Sequence, residues 1–145
     1  MIAVDTNLLI YSAWNTSSFH EQASEVIKSL VLGSKRWSIP WPCLHEFISI
    51  STHPKVFKTP AKLEDTFTAL EQWIDSPSCI TIGEGYEHFA CLKQIATKGK
   101  VAGPMIHDAR IAAICLQHQV SELWTVDRDF SRFPSLRTRN PLVEN

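Results

Sequence analysis

The chain has 145 residues, 44% of them apolar and 20% charged, with 14 basic against 15 acidic side chains and a net charge of −1. A chain of this length buries a core of its own without disulfides or a structural metal, and its composition excludes disorder and coiled coil. Near-neutrality excludes coating of nucleic acid by bulk electrostatics, while leaving room for a basic patch beside an acidic site.

Ile2-Ala3-Val4 reads as a hydrophobic strand that runs into Asp5, with apolar residues on both sides of the acid. An ionised carboxylate in that setting costs free energy unless a cation, hydrogen bonds or another charge compensates it. A short helix is predicted over 7–13. Thr16-Ser17-Ser18 supplies cap residues, and Glu21, three after Ser18, completes a capping-box pattern that predicts the start of a second helix. Its Ala23, Val26, Ile27, Leu30 and Val31 recur at the spacing of one buried helical face, and Gly33 stands where a C-cap belongs. Trp37-Ser38-Ile39 is a strand candidate, after which Pro40 and Pro42 bracket Trp41 and introduce a helix over 43–51. Leu44, Phe47, Ile48 and Ile50 are its expected core contacts, and Glu46 is its one acid.

Residues 53–60 read as a loop carrying Lys55 and Lys58, with Thr59 capping a helix that opens at Pro60 and buries Leu63, Phe67, Leu70 and Ile74. A strand is predicted over 78–82, and a helix over 84–96 whose Phe89, Leu92 and Ile95 face inward. Residues 98–104 are the most flexible-looking stretch and lead into a helix over 105–119 with Asp108 in its first turn. A last central strand over 123–126 ends at Asp127-Arg128-Asp129, with Phe130, Phe133 and Leu136 as anchors and a short edge strand or coil to follow. Strands alternating with helices predict one α/β domain over residues 1–145, with a parallel sheet and right-handed crossovers. Cys43, Cys79, Cys91 and Cys115 form no C-x-x-C pair, so reduced thiols are expected rather than a zinc knuckle or redox motif. The opening lacks a basic n-region, and no apolar run approaches the roughly 18 residues of a membrane span, so no membrane association and a cytoplasmic location are expected.

Two of the strand candidates end in acids, Asp5 and Asp127. In a parallel sheet both ends lie on one edge, where open α/β folds place their ligand sites. Asp108, in a first helical turn, is expected at the same edge, where the helix dipole favours an ionised acid. Glu46 is placed inward by its apolar surroundings or outward as an ordinary solvated residue. The other acids also have structural alternatives: Asp108 as a helix-start residue, Asp127 paired with Arg128 or Arg110, Asp129 in an Asx turn. Convergence of three or four carboxylates raises the pKa of some of them and destabilises the fold unless cations bind. Mg²⁺ or Mn²⁺ meets that need with oxygen ligands and retained waters, and the lack of a His/Cys set disfavours zinc.

Val4-Asp5-Thr6-Asn7, Glu46 in an early helix, His107-Asp108-Ala109 and Leu123-Trp124-Thr125-Val126-Asp127-Arg128-Asp129-Phe130, taken together in order and spacing, resemble the PIN-domain ribonucleases, specifically the VapC toxins of VapBC toxin–antitoxin pairs. The resemblance implies a three-layer α/β/α sandwich with a central parallel sheet. It also implies a Mg²⁺- or Mn²⁺-dependent endoribonuclease that uses metal-activated water to leave 5′-phosphate and 3′-hydroxyl ends. By position, Asp5, Glu46, Asp108 and Asp127 match the family's catalytic and metal-binding quartet, Asp129 a less regular extra acid, and Asn7 and Thr125 polar neighbours of the site. A homodimer is implied, as is a cognate antitoxin that blocks the site from a groove beside it. Val126 stands where the family commonly has a polar residue. An acidic site needs surrounding cations to hold RNA, and Arg110, Arg128 and Lys100, with Lys98, Arg132, Arg137 and Arg139, are the candidates. Trp14 and Trp41 are candidates to stack on bases, core packing is expected for Trp37 and Trp124, and an ordinary packed or exposed histidine is expected at His107 in preference to a substrate contact.

A phosphatase of the haloacid dehalogenase type also opens with a hydrophobic strand ending in Asp, but its second Asp, two residues on, is here Asn7. No G-x-G-x-x-G follows the first strand, which argues against a dinucleotide-binding domain. The remaining alternative is a PIN-like module that binds RNA or protein without cutting, and a binding module gains nothing from clustered, mutually repelling acids.

Overall fold

Ile2, Ala3 and Val4 form strand β1 (Ile2–Val4), in which Ala3 and Val4 have no solvent exposure. Burial on both faces marks a central strand of a covered parallel sheet. In the computed structural model, which describes residues 1–143, β1 is indeed the middle of five strands. The others are β2 (Trp37–Pro40), β3 (Cys79–Ile82), β4 (Glu122–Trp124) and β5 (Thr138–Arg139), in the order β3-β2-β1-β4-β5, all parallel. Six helices connect them: α1 (Thr6–Ala13), α2 (His20–Leu32), α3 (Trp41–Ser51), α4 (Leu63–Ile74), α5 (His88–Lys98) and α6 (Ile106–Gln117).

The chain steps outward from β1 to β2 to β3 and then returns to the far side of β1 for β4. With right-handed crossovers, that reversal puts α1 to α4 on one face and α5 and α6 on the other, giving the expected α/β/α sandwich. It also creates a switch point between the carboxyl ends of β1 and β4, where such sheets open a crevice. The edge element after Leu136 is a true strand, because Leu123 N–H donates to Arg137 O at 2.8 Å and Thr125 N–H to Arg139 O at 2.9 Å. The core is filled by Leu8, Leu9, Trp37, Ile39, Leu44, Phe47, Ile114, Leu123 and Phe130, each at most 1% exposed. The Trp37 indole, inside this core, donates to Ser78 Oγ at 3.0 Å, as a buried N–H requires.

Several helix starts differ from those that local patterns predict. The Ser18–Glu21 capping box does not form: the neighbouring Ser17 hydroxyl accepts from Phe19 N–H at 3.1 Å, and α2 begins at His20 with no side-chain cap. Thr59 and Pro60 do not open α4, because Ala61 N–H donates to Ser51 O at 2.9 Å and draws this segment across α3 before the helix starts at Leu63. The buried face of α4 is Thr66, Leu70 and Trp73 rather than Leu63 and Phe67, which are 54% and 46% exposed. An edge-to-face contact between Phe47 and Trp73, centroids 5.1 Å apart, sets that rotation. Similarly α5 begins at His88 rather than near 84, and Phe89 is 76% exposed.

Between α5 and α6 the chain turns tightly. An added Cβ at Gly99 meets Ile95 O at 3.0 Å and the Phe133 ring at 3.2 Å, and Gly103 takes φ +58°. Lys100, without that freedom, takes φ 51°. No helix among the described residues is long and apolar enough to cross a membrane.

Phe130 and Phe133, with ring centroids 6.4 Å apart, are buried beneath the short 3₁₀ helix Arg128–Arg132 that follows β4. Phe130→Ala is expected to lose about 3–5 kcal/mol of stability in urea unfolding, the range for emptying a packed aromatic site. Tyr86→Ala, at a fully exposed side chain, stays within about 0.5 kcal/mol.

Candidate active site

Asp5 follows β1 directly and is the N-cap of α1, only 5% exposed. Four donors meet its carboxylate. Oδ1 accepts from the Thr6 backbone N–H at 2.8 Å and from the Cys43 thiol at 3.5 Å. Oδ2 accepts from the Thr125 hydroxyl at 2.7 Å and the Asn7 amide at 3.2 Å. That uses the roughly four acceptor directions a carboxylate has. Burial pushes the Asp5 carboxyl above its ordinary range; the Thr125 and Thr6 bonds oppose this, Glu46 adds to it, and the Cys43 bond opposes it again. Burial first and Asp5 second push the Cys43 thiol well up, so it remains a neutral donor.

Asn7 and Thr125 knit the two strand ends together. Asn7 Nδ2 also donates to Thr125 Oγ1 at 3.2 Å, and Asn7 Oδ1 accepts from Val126 N–H at 3.3 Å. Thr125 Oγ1 accepts from Asp127 N–H at 3.0 Å, so the residue that holds Asp5 also holds the backbone of Asp127. Asp127 in turn caps the 3₁₀ helix, its Oδ1 accepting from Asp129 N–H at 2.8 Å. The Asx turn expected at Asp129 is therefore made by Asp127.

Asp108 occupies the first turn of α6 and is partly buried. Asp108, Asp127 and Asp129 each offer a carboxylate oxygen, and the three atoms lie within 4.8 Å of one another. The Asp108 carboxyl is pushed up to about 6, first by burial and then by Asp127, Asp5, Asp129 and Glu46. Glu46 is exposed on α3, yet its Oε2 accepts from the Thr6 hydroxyl at 2.8 Å and so turns toward Asp5. Among the described residues no cation pairs with any of these five acids; the ion pair present joins Arg110 to Glu84. The alternative that ties Asp127 to Arg110 or Arg128 is not realised. An all-oxygen set with no compensating cation fits a hard divalent ion rather than zinc.

The four acids of the sequence reading thus divide. Asp108 and Asp127 share a cluster with Asp129, the acid expected to be secondary, while Asp5 and Glu46 form a second pair joined through Thr6. Thr6 and Cys43 escaped the sequence reading. Cys43 precedes Glu46 by three residues on one helix, a spacing that turns both toward one side, and Thr6 adjoins Asp5 in the opening motif.

The expected RNA-binding cations differ in their freedom. Arg128 lines an open crevice of about 580 Å³ with Thr125, Asp127, Ser131 and Asn140, within the range of ligand-sized cavities. Lys98, Lys100 and Arg137 are exposed, whereas Arg110 is held by Glu84, Arg132 donates to Gly99 O at 3.2 Å, and Arg139 lies 5.8 Å over the Trp124 ring. His107 is exposed. Trp37 is core, Trp124 is half-buried under Arg139, and Trp14 stacks on Phe47 and donates to Ser51 Oγ. Trp41, 42% exposed, pairs with His45 one turn along α3.

A family model described as PIN domain matches residues 2–136. Ribonuclease VapC48 of Mycobacterium tuberculosis is 26% identical over 137 residues, covering 94% of each chain. VapC ribonuclease Mb2897 of Mycobacterium bovis is 29% identical over 142 residues, covering 98% of this chain and 96% of that one. Among solved structures, VapBC2 from Rickettsia felis bound to a promoter DNA fragment superposes with a TM-score of 0.69 at 17% identity, covering 96% of this chain and 98% of that chain.

Because the Asp108 carboxyl is raised from 3.8 to about 6, its favourable contribution to stability is complete below about pH 4 and is lost as the pH rises through 6. In EDTA-treated protein, Asp108→Asn should therefore melt near the wild type at about pH 4 and about 3 °C above it at pH 7. Thermal unfolding across that pH range checks the sign; a variant less stable than wild type at pH 7 contradicts it.

Proposed function

The chain belongs to the PIN-domain family, and from that premise we propose that it is a VapC-like endoribonuclease, the toxin of a type II toxin–antitoxin pair, with residues 1–145 as one catalytic domain. The observation that carries this reading is the convergence of Asp108, Asp127 and Asp129 within 4.8 Å, beside Asp5 and Glu46, with no cationic partner among the described residues. A purely structural role would leave that repulsion uncompensated. The relatives bearing the name ribonuclease align over nearly the whole chain and support the same reading.

Asp108, Asp127 and Asp129, flanked by Asp5 and Glu46, would hold Mg²⁺ or Mn²⁺. When bound, the ion supplies charge neutralisation of the phosphodiester and acidification of the attacking water, with 5′-phosphate and 3′-hydroxyl ends as products. The protein's own contribution is preorganisation. Asn7 and Thr125 both hold Asp5 Oδ2 while Thr6 N–H holds Oδ1, and Thr125 holds the Asp127 amide, so neither acid swings when RNA arrives. Arg128 stands beside Asp127 on the crevice and takes the phosphate backbone next to the scissile bond; exposed Lys100 extends that contact. Arg110 is engaged by Glu84.

The partners of this reading are RNA, an antitoxin and a second copy of the chain. Exposed Trp41 on α3, and exposed Phe89 and Ile106 on α5 and α6 across the sheet, are apolar side chains open to a homodimer contact. An antitoxin is the regulator that this reading calls for.

RNA cleavage is expected to require Mg²⁺ or Mn²⁺, to stop with EDTA, and to fall at least about 100-fold in Asp5→Asn and Asp108→Asn, as loss of a charge that stabilises the transition state does. Gel assays on cellular RNA with end mapping read both the rate and the termini. Cleavage that persists in EDTA, or full activity in Asp5→Asn, overturns the proposal.

A further inference from the structure

Thr6 touches both members of the Asp5–Glu46 pair. Its backbone N–H donates to Asp5 Oδ1 at 2.8 Å, and its hydroxyl donates to Glu46 Oε2 at 2.8 Å, while the residue is 4% exposed. The hydroxyl has one proton and two acceptors within reach, Glu46 Oε2 and Cys43 O at 3.4 Å. The shorter bond to the charged acceptor takes it. Glu46 has no other hydrogen bond among the described residues and projects from an exposed position of α3, so without Thr6 its three side-chain torsions are free to sweep it into solvent. Binding Oε2 also leaves Oε1 as the oxygen available to a cation.

We infer that Thr6 is a positioning residue, which acts through Glu46 by holding that carboxylate turned in toward Asp5 and Asp108. This rests on the metal-dependent reading above. Both oxygens of Asp5 are already engaged by Thr6, Cys43, Asn7 and Thr125. An inward Glu46 therefore contributes a carboxylate oxygen on the Asp5 side that no other donor occupies.

Calorimetric titration of Mn²⁺ into the intact protein tests this without reference to turnover. Thr6→Val and Thr6→Ala should weaken Mn²⁺ binding about 10-fold or more, the usual effect of losing a partner that orients a ligand, and Thr6→Ser should restore it. The double variant Thr6→Val/Glu46→Ala should bind no more weakly than Glu46→Ala alone, because Thr6 has then nothing left to position. Thermal melting in EDTA reads folding separately, and Thr6→Ala reports should Thr6→Val fail to fold. Wild-type affinity in both hydroxyl-less variants, no rescue by serine, or additive losses in the double variant overturns the inference. If the wild type itself takes up no Mn²⁺, the metal-dependent reading falls, and the role of Thr6 with it.

Discussion

The carboxylate of Asp5 is sealed at the end of the central strand, and hydrogen bonds rather than a cation satisfy it. Such a group costs several kcal/mol to bury unpaired, so its donors are required by the fold. They come from three places: the start of α1 through Thr6 and Asn7, α3 through Cys43, and the end of β4 through Thr125. Satisfying one side chain therefore pins the elements around the switch point between β1 and β4. The bond from Asp5 N–H to Trp124 O at 3.0 Å continues the strand ladder to the same place.

The acids around it are in unequal circumstances. Asp5 is met by four donors, which offset part of the cost of its burial. Asp108, Asp127 and Asp129 are close together with few donors, and the Asp108 carboxyl is raised first by its burial and then by the repulsion that remains. What keeps Asp127 and Asp129 in place against that repulsion is apolar packing a few residues on, where Phe130, Phe133 and Leu136 are each at most 4% exposed. Electrostatic strain at the site is thus held by hydrophobic burial directly beneath it, a common arrangement where affinity for a cation is needed.

Local patterns were most legible where burial was extreme. Ile2-Ala3-Val4 and Trp37-Ser38-Ile39 had to be covered strands because they are short and apolar or small throughout, and the acids that end the first and fourth strands followed from parallel order. Helix starts were less legible. Ser18 with Glu21, and Thr59 with Pro60, are sound capping signals in isolation, but Ser17 spends its hydroxyl in a turn and Ala61 donates to Ser51 instead. The buried face of α4 keeps Leu70 but takes Thr66 and Trp73 in place of Phe67 and Ile74, because Trp73 reaches Phe47. In the site, the orientation of Glu46 was undetermined because its partner, Thr6, is 40 residues away, and Arg110 looked free because Glu84 lies in a loop 26 residues earlier.

The sequence by itself determined the alternation of strands and helices and the presence of acids at strand ends and in a first helical turn, because periodicity and burial are local properties of the chain. Tertiary structure alone decided which acids share a cluster, which lone pairs are already taken and which cations remain free. Those outcomes depend on hydrogen bonds between residues as far apart as Asp5 and Thr125, separated by 120 positions, whose meeting no local pattern records.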